Sequence, residues 1–251
     1  MCSSDLAKRE RSCTGCAILG QILENATVAR GERRPLCQDT GVAVVFLELG
    51  QDVHLTGGPV GDAVNAAVRD AYTRFLLRKS IVAHPLARRN TGDNTPAVLH
   101  VRIVPGDRVT VDFVEKGGGC ENMSRLAMLT PADGRDGVID FVLRTVRESG
   151  GNACPPLVVG VGLGGNFERV AHLAKEALLR PFGAPAEDPG DRSLEAELLE
   201  RINATGLGPM GLGGDTTALA VHVKSHPCHI ASLPVAVNLD CHSHRHASET
   251  N

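Results

Sequence analysis

The chain predicts a mixed α/β domain, a mixed sheet with flanking helices, and three observations carry that reading. Four short segments alternate apolar and polar residues with the period of a strand, at 99–103, 109–113, 219–223 and 235–239. Three segments place apolar residues at helical spacing, within 60–77, 167–179 and 193–202. One short, wholly apolar run, 157–161, has the length and boundaries of a buried strand.

In chain order, Ile18, Leu19, Ile22 and Leu23 open an apolar helical run. A second helix is predicted from Val60 to Leu77, with apolar residues at 60, 64, 67, 68, 71, 72, 75 and 76. Leu99, Val101 and Ile103 alternate with His100 and Arg102; Pro105-Gly106-Asp107 turns the chain into Val109, Val111 and Phe113. That pattern predicts an antiparallel hairpin. The strand Leu157 to Val161 leads into a glycine cluster at 160–165 and a helix from Phe167 to Leu179. Pro181 to Arg192, rich in Pro, Gly and acid, reads as a surface loop, and Ser193 as the N-cap of a helix reaching Ile202. Strands at 219–223 and 235–239 complete the pattern, and all of 1–251 is taken as a single domain.

An apolar fraction of 42% over 251 residues supplies a substantial core. The net charge of -3 gives no basic face for nucleic acid or an anionic membrane surface. The longest apolar stretches, 41–49 and 157–163, fall short of the roughly 20 residues a membrane span requires. With no secretory leader pattern in residues 1–23, a cytoplasmic location is expected. Aromatics at 3% and no Trp argue against base-stacking platforms.

Eight cysteines in such a chain point to metal, catalysis or simple burial before disulfides. Cys13-x-x-Cys16 lacks a second pair at zinc spacing and sits in an apolar helical run, so it is set aside. More telling are three isolated thiols at the ends of ordered segments. Cys37 lies in Pro35-Leu36-Cys37-Gln38-Asp39-Thr40-Gly41, Cys154 in Asn152-Ala153-Cys154-Pro155-Pro156, and Cys241 in Asp240-Cys241-His242-Ser243-His244.

Gly160, Gly162 and Gly165 match a dinucleotide fingerprint, but no second strand ends in an acid about 20 residues later. Nicotinamide or flavin binding is therefore disfavoured, and the cluster stands as a place for backbone amides to meet an anion. Gly117-Gly118-Gly119 after Lys116 marks either a close approach of backbone to a ligand or a flexible tip. Residues 88–96 form a polar loop open to both a solvated and a substrate-contacting reading. His229 lies 12 residues before Cys241, and the alternating His242, His244 and His246 read as a solvated chain end ahead of a fortuitous metal-binding tail.

Taken together these motifs resemble the alpha subunit, or amino-terminal domain, of class I iron-sulfur hydro-lyases, the class I fumarases and L-tartrate dehydratase. The resemblance runs in order through residues 35–41, Leu77-Arg78, Asn90 to Pro96, Lys116 to Gly119, Cys154-Pro155-Pro156, residues 208–214, and His229 to Cys241. It implies the iron-sulfur hydro-lyase alpha-domain fold. It also implies a 4Fe-4S cluster held by Cys37, Cys154 and Cys241, with one iron left open as a Lewis acid. By the same carry-over Gln38, Asp39, Arg78, Gly119 and His229 line a small dicarboxylate substrate, with Asp39 and His229 as the candidate catalytic groups. The implied reaction interconverts a 2-hydroxy dicarboxylate and its unsaturated acid. Malate and fumarate come first and L-tartrate is the alternative.

A beta subunit carrying a swivel domain is the implied partner, in an α2β2 heterotetramer. The rival from another class is a structural metal-binding module, with zinc or a closed cluster taking Cys120 or His229 as fourth ligand. Three departures from the family pattern stand out. Cys120 occupies a position where Ser is usual and is read as a substitution and not a ligand; the amino terminus is shorter than usual; the residues after Cys241 are His-rich.

Overall fold

The computed structural model describes residues 9–251, which form two compact units. Among the described residues there are six helices and eight strands, arranged as two four-stranded mixed sheets, the mixed α/β architecture that the sequence predicts. No helix among them is long and apolar enough to cross a membrane.

Unit 1 comprises the amino-terminal segment up to Arg34 together with Gly119–Ser243. Its first helix, α1 (Cys13–Glu32), starts where the Ser12 side chain accepts from Gly15 N at 3.2 Å and stops at Arg33 in the left-handed region. The chain next contributes α3 (Gly118–Asn122), β4 (Arg125–Leu129) and α4 (Gly134–Ser149). It continues through β5 (Leu157–Gly164), α5 (Phe167–Ala177) and α6 (Pro189–Asn203), and ends in β6 (Ala218–His226) and β7 (Leu233–Asp240). The sheet order is β4-β7-β5-β6, with β5 parallel to β6 and antiparallel to β7.

Both central strands are buried along nearly their whole length, which is why 157–163 reads as an unbroken apolar run instead of an alternation. Val142, Val146, Val159, Val161, Leu198, Ile202 and Leu239 are fully buried in one cluster. Each such side chain contributes about 1.5–3 kcal/mol relative to exposure.

The glycine cluster is explained by packing. A Cβ on Gly160 would lie 2.1 Å from Ala174 O, and one on Gly162 would lie 2.1 Å from Val170 O. Glycine at both positions lets α5 lie directly on β5. The Gly165 amide is engaged by the carbonyls of His226 and Pro227, both at 3.3 Å, so the anion reading of this cluster is corrected.

Helix α6 starts earlier than expected. Its cap is Asp188 and not Ser193: the Asp188 carboxylate accepts from Gly190 N (2.7 Å) and Asp191 N (3.0 Å), and Pro189 occupies the first helical turn. The acidic, proline-containing end of the loop is thus a helix start.

Unit 2 comprises Pro35–Gly118 and His244–Asn251. It contains β1 (Val42–Gly50), α2 (Val60–Arg74), β2 (Val98–Val104), β3 (Val109–Lys116) and β8 (His246–Thr250), in the order β2-β1-β3-β8. The predicted hairpin is overturned, because β1 lies between β2 and β3, parallel to the first and antiparallel to the second. The apolar β1 takes a ladder on each side, and the turn after it is locked by Gly50 N to Arg108 O, Gln51 N to Val104 O and Asp52 N to Gly106 O. Pro105-Gly106-Asp107 therefore wraps the end of β1 instead of closing a two-stranded hairpin. The carboxy-terminal end is exposed from His246 onward, as expected, but it is ordered: His246 opens β8, an edge strand paired with β3, while His242 and His244 are half-buried.

Candidate metal centre and substrate residues

In unit 1 the structure brings Cys120, Asp240 and Cys241 together, with one ligand atom from each within 4.8 Å of the others. Cys120 sits on α3 immediately after the glycine run, Asp240 ends β7, and Cys241 is the next residue. Cys120 Sγ lies 3.4 Å from Asp240 Oδ1 and is also within hydrogen-bonding reach of the Cys241 sulfur, so its one thiol hydrogen serves one or the other acceptor. The hydrogen bond from Cys120 is the largest influence on the Cys241 thiol. Burial opposes it, the Ser243 hydroxyl at 2.8 Å adds to it, and the net effect pulls the thiol down to about 5. The Asp240 charge works against this pull, and the net direction is toward the thiolate, the form that binds metal.

Cys154 ends the 3₁₀ turn Gly150–Ala153 in the left-handed region and is half-buried. Its carbonyl lies 3.1 Å from His242 Nδ1, which ties the Cys154 backbone to the residue beside Cys241. Gly119 is exposed, and a Cβ there would approach Asn152 O at 3.3 Å, so the bare backbone fits where a side chain would crowd. His229 is exposed on the loop between β6 and β7. Its Nδ1 accepts from Ala231 N at 3.1 Å, which places the proton of the neutral ring on Nε2.

The remaining predicted residues belong to unit 2. Cys37 is half-buried and donates to the Gln38 side-chain oxygen at 3.4 Å, while Gln38 itself is exposed. Asp39 has both oxygens occupied by backbone: Oδ1 accepts from Gly41 N (3.0 Å) and Oδ2 from Gly118 N (2.8 Å). Its geometry is that of an orienting group. Gly41 has φ +63 and a Cβ there would fall 2.5 Å from Lys116 O, so this turn requires glycine.

Thr40 Oγ1 donates to the Arg78 carbonyl at 2.7 Å, and the buried Tyr72 hydroxyl donates to the Thr40 carbonyl. Arg78 itself is exposed. Burial, followed by the charge of Glu115, pushes the Tyr72 phenol well up, so it remains a donor. Burial also raises the Glu115 carboxyl; Arg245, paired with it at 3.0 Å, opposes the rise and the charge of Asp39 adds to it.

Asn94 is the principal residue that sequence reasoning passed over. Fully buried, it accepts from Ser80 N at 2.6 Å and donates to Gly41 O at 3.1 Å, joining the 88–96 loop to the segments beside Arg78 and Asp39. Its left-handed φ of 63 is a conformation that asparagine tolerates. Asn90 adds a bond to Lys79 O at 2.9 Å. The loop's several turn-forming residues were the available signal. The meeting of Cys120 with Cys241, 121 positions apart, had no local signal.

A family model described as fumarate hydratase (Fumerase) matches residues 2–250. The chain is 42% identical over 246 residues to a putative L(+)-tartrate dehydratase subunit alpha of Methanocaldococcus jannaschii, covering 96% of this chain and 86% of that protein. It is 34% identical over 243 residues to the L(+)-tartrate dehydratase subunit alpha of Escherichia coli strain K12 and to that of Shigella sonnei, covering 96% of this chain and 80% of each relative. The chain belongs to the fumarate hydratase (Fumerase) family of hydro-lyases.

Proposed function

We propose that this chain is the alpha subunit of a two-subunit dehydratase acting on a small 2-hydroxy dicarboxylate, with Cys37, Cys154 and Cys241 as the thiolate ligands of a 4Fe-4S cluster. The observation that carries the reading is the donor chemistry: three half-buried thiols, Cys154 closing a 3₁₀ turn, Cys241 directly after β7, and Cys37 in the bend between α1 and β1 beside Gln38 and Asp39. Soft sulfur donors of this kind suit iron-sulfur chemistry. The chemistry such a cluster supplies when bound is Lewis acidity toward a substrate hydroxyl, from an iron without a fourth protein ligand.

The chain's own residues bind and orient. Arg78 presents a planar guanidinium to a substrate carboxylate, and the pinning of its carbonyl by Thr40 fixes where that side chain begins. The His229 Nε2–H and the Gln38 amide supply hydrogen-bond donors, and the Gly119 backbone, bare of a side chain, allows close approach. Asp39 holds the amides of Gly41 and Gly118 in place and so sets the shape of the turn between Cys37 and β1. In the net reaction a C–O bond and a neighbouring C–H bond break, a C=C bond forms, and hydroxyl and proton leave as water.

The relatives' names favour L(+)-tartrate as the substrate. The family description keeps malate and fumarate as the second reading. The same names, each a subunit alpha, support a beta partner, which we place in an α2β2 assembly. The test is anaerobic co-expression with a beta subunit and assay of L-tartrate, malate and mesaconate side by side. Dehydrating a dihydroxy acid yields an enol that becomes a keto acid, trapped as a hydrazone, whereas malate yields an alkene. Keto acid from L-tartrate is the expected result. Activity on malate alone moves the substrate assignment, and full activity from the single chain overturns the two-subunit reading.

A further inference from the structure

We propose that Cys120, Asp240 and Cys241 form a second metal site in unit 1, one that takes a single soft divalent cation of the zinc type. The cysteine at position 120 gives this chain a donor that the three-thiolate reading does not use. Cys120 is 3% exposed and Asp240 2% exposed, so two of the donors are fixed in the interior before any ion arrives.

The spacing suits a single ion. With zinc bonds of about 2.3 Å to sulfur and about 2.1 Å to oxygen, tetrahedral geometry puts sulfur and oxygen about 3.6 Å apart and two sulfurs about 3.8 Å apart. Cys120 Sγ and Asp240 Oδ1 are 3.4 Å apart, and all three donors lie within 4.8 Å of one another. Two thiolates and one carboxylate select zinc or iron(II) over magnesium or calcium, which prefer oxygen alone. They also neutralise the ion's charge with one negative charge to spare. Binding displaces the Cys120 thiol proton that faces Asp240.

Because Cys241 serves both sites, zinc and the proposed cluster exclude each other. A chain that has lost its iron is then held in a zinc form in which Cys241 is blocked. This inference rests on the cluster reading only through that competition; the zinc site stands or falls by itself.

The test uses the full chain, freed of iron by anaerobic chelation and reduced, with its fold checked by circular dichroism. Zinc uptake is measured by competition with a chromophoric chelator, and cobalt(II) reports thiolate ligation through its sulfur-to-metal charge-transfer absorption. One equivalent is expected in the parent chain. It is lost in Cys120→Ser and Cys241→Ser, weakened in Asp240→Asn, and kept in Cys37→Ser and Cys154→Ser.

Zinc added first is expected to block later uptake of iron and sulfide in the parent chain but not in Cys120→Ser. The site is overturned if the folded parent chain takes up no zinc, or if uptake depends on Cys37 or Cys154 and not on Cys120. Failure of the cluster reading looks different, since iron and sulfide then fail to load with or without zinc.

Discussion

The two sheets reach order by different means. In unit 1, β5 and β7 are buried almost end to end and α5 rests on glycine backbone, so apolar contact fixes each element. In unit 2, β2 is largely exposed, with Ile103 68% exposed, and the loops around the sheet are held by polar side chains. Asn94, Asp39, Thr40 and Tyr72 each bond to a backbone group far along or across a turn. Burial builds a scaffold that tolerates little change of volume. Polar tethers position exposed groups such as Arg78 and Gln38 while leaving their side chains available to a ligand.

The contrast breaks first at Gly162. Gly162→Ala sets a methyl against the Val170 carbonyl and forces β5 and α5 apart, and overpacking of this kind costs about 1–3 kcal/mol or more. Loss of soluble, cooperatively unfolding protein is expected. A denaturation midpoint equal to that of the parent would show that the contact is slack.

Arg78→Lys tests the opposite regime, an exposed residue whose value lies in its shape. Stability should stay constant while kcat/KM falls by about tenfold or more, a loss of roughly 1.4 kcal/mol or greater in transition-state binding. Unchanged kinetics in the assembled enzyme would remove Arg78 from the substrate site.

Asn94→Ala strips the Ser80 amide and the Gly41 carbonyl of their partner, at a cost of about 1–3 kcal/mol. Chemical denaturation reads the stability, and KM is expected to rise because the tethered segments carry Arg78 and Asp39. A stable variant with normal KM would mean that polar tethers do not set the loops.

The smallest expected effect is a pH dependence within unit 1. Burial raises the Glu176 carboxyl, but His172 at 3.1 Å and Lys224 at 3.0 Å outweigh it and bring the group to about 2. A depressed carboxylate stabilises the fold above its unfolded value of 4.5, and that contribution disappears as pH falls toward about 2. Urea denaturation of the parent and Glu176→Gln should differ by on the order of 2 kcal/mol at pH 7, with the gap closing toward pH 3. A gap that widens on acidification would contradict the assigned cause.

Much of the scaffold was legible in the sequence because its signals are local. The apolar run at 157–161, the helical spacing at 60–77 and the alternation at 235–239 all mark real elements. The hairpin failed because alternation at 99–113 describes two strands without saying what lies between them, and β1 was the missing neighbour. The start of α6 was missed because Asp188-Pro189 signals a loop and a helix cap equally well. At the candidate site, Cys37, Cys154 and Cys241 stood out by their flanking residues. The approach of Cys120 to Asp240 and Cys241 is a tertiary fact, created when α3 packs beside the end of β7.

The central claim, that Cys37, Cys154 and Cys241 hold an iron-sulfur cluster in this chain, is tested most directly by iron and acid-labile sulfide analysis of protein purified without oxygen. The parent chain should be brown and carry about four of each per chain, as a 4Fe-4S cluster requires. Alanine at Cys37, Cys154 or Cys241 should abolish both, and alanine at Cys13 or Cys16, exposed on the first turn of α1, should change neither. A parent chain devoid of iron and sulfide, or a cluster that survives loss of Cys241 and fails with loss of Cys13 or Cys16, would contradict the account.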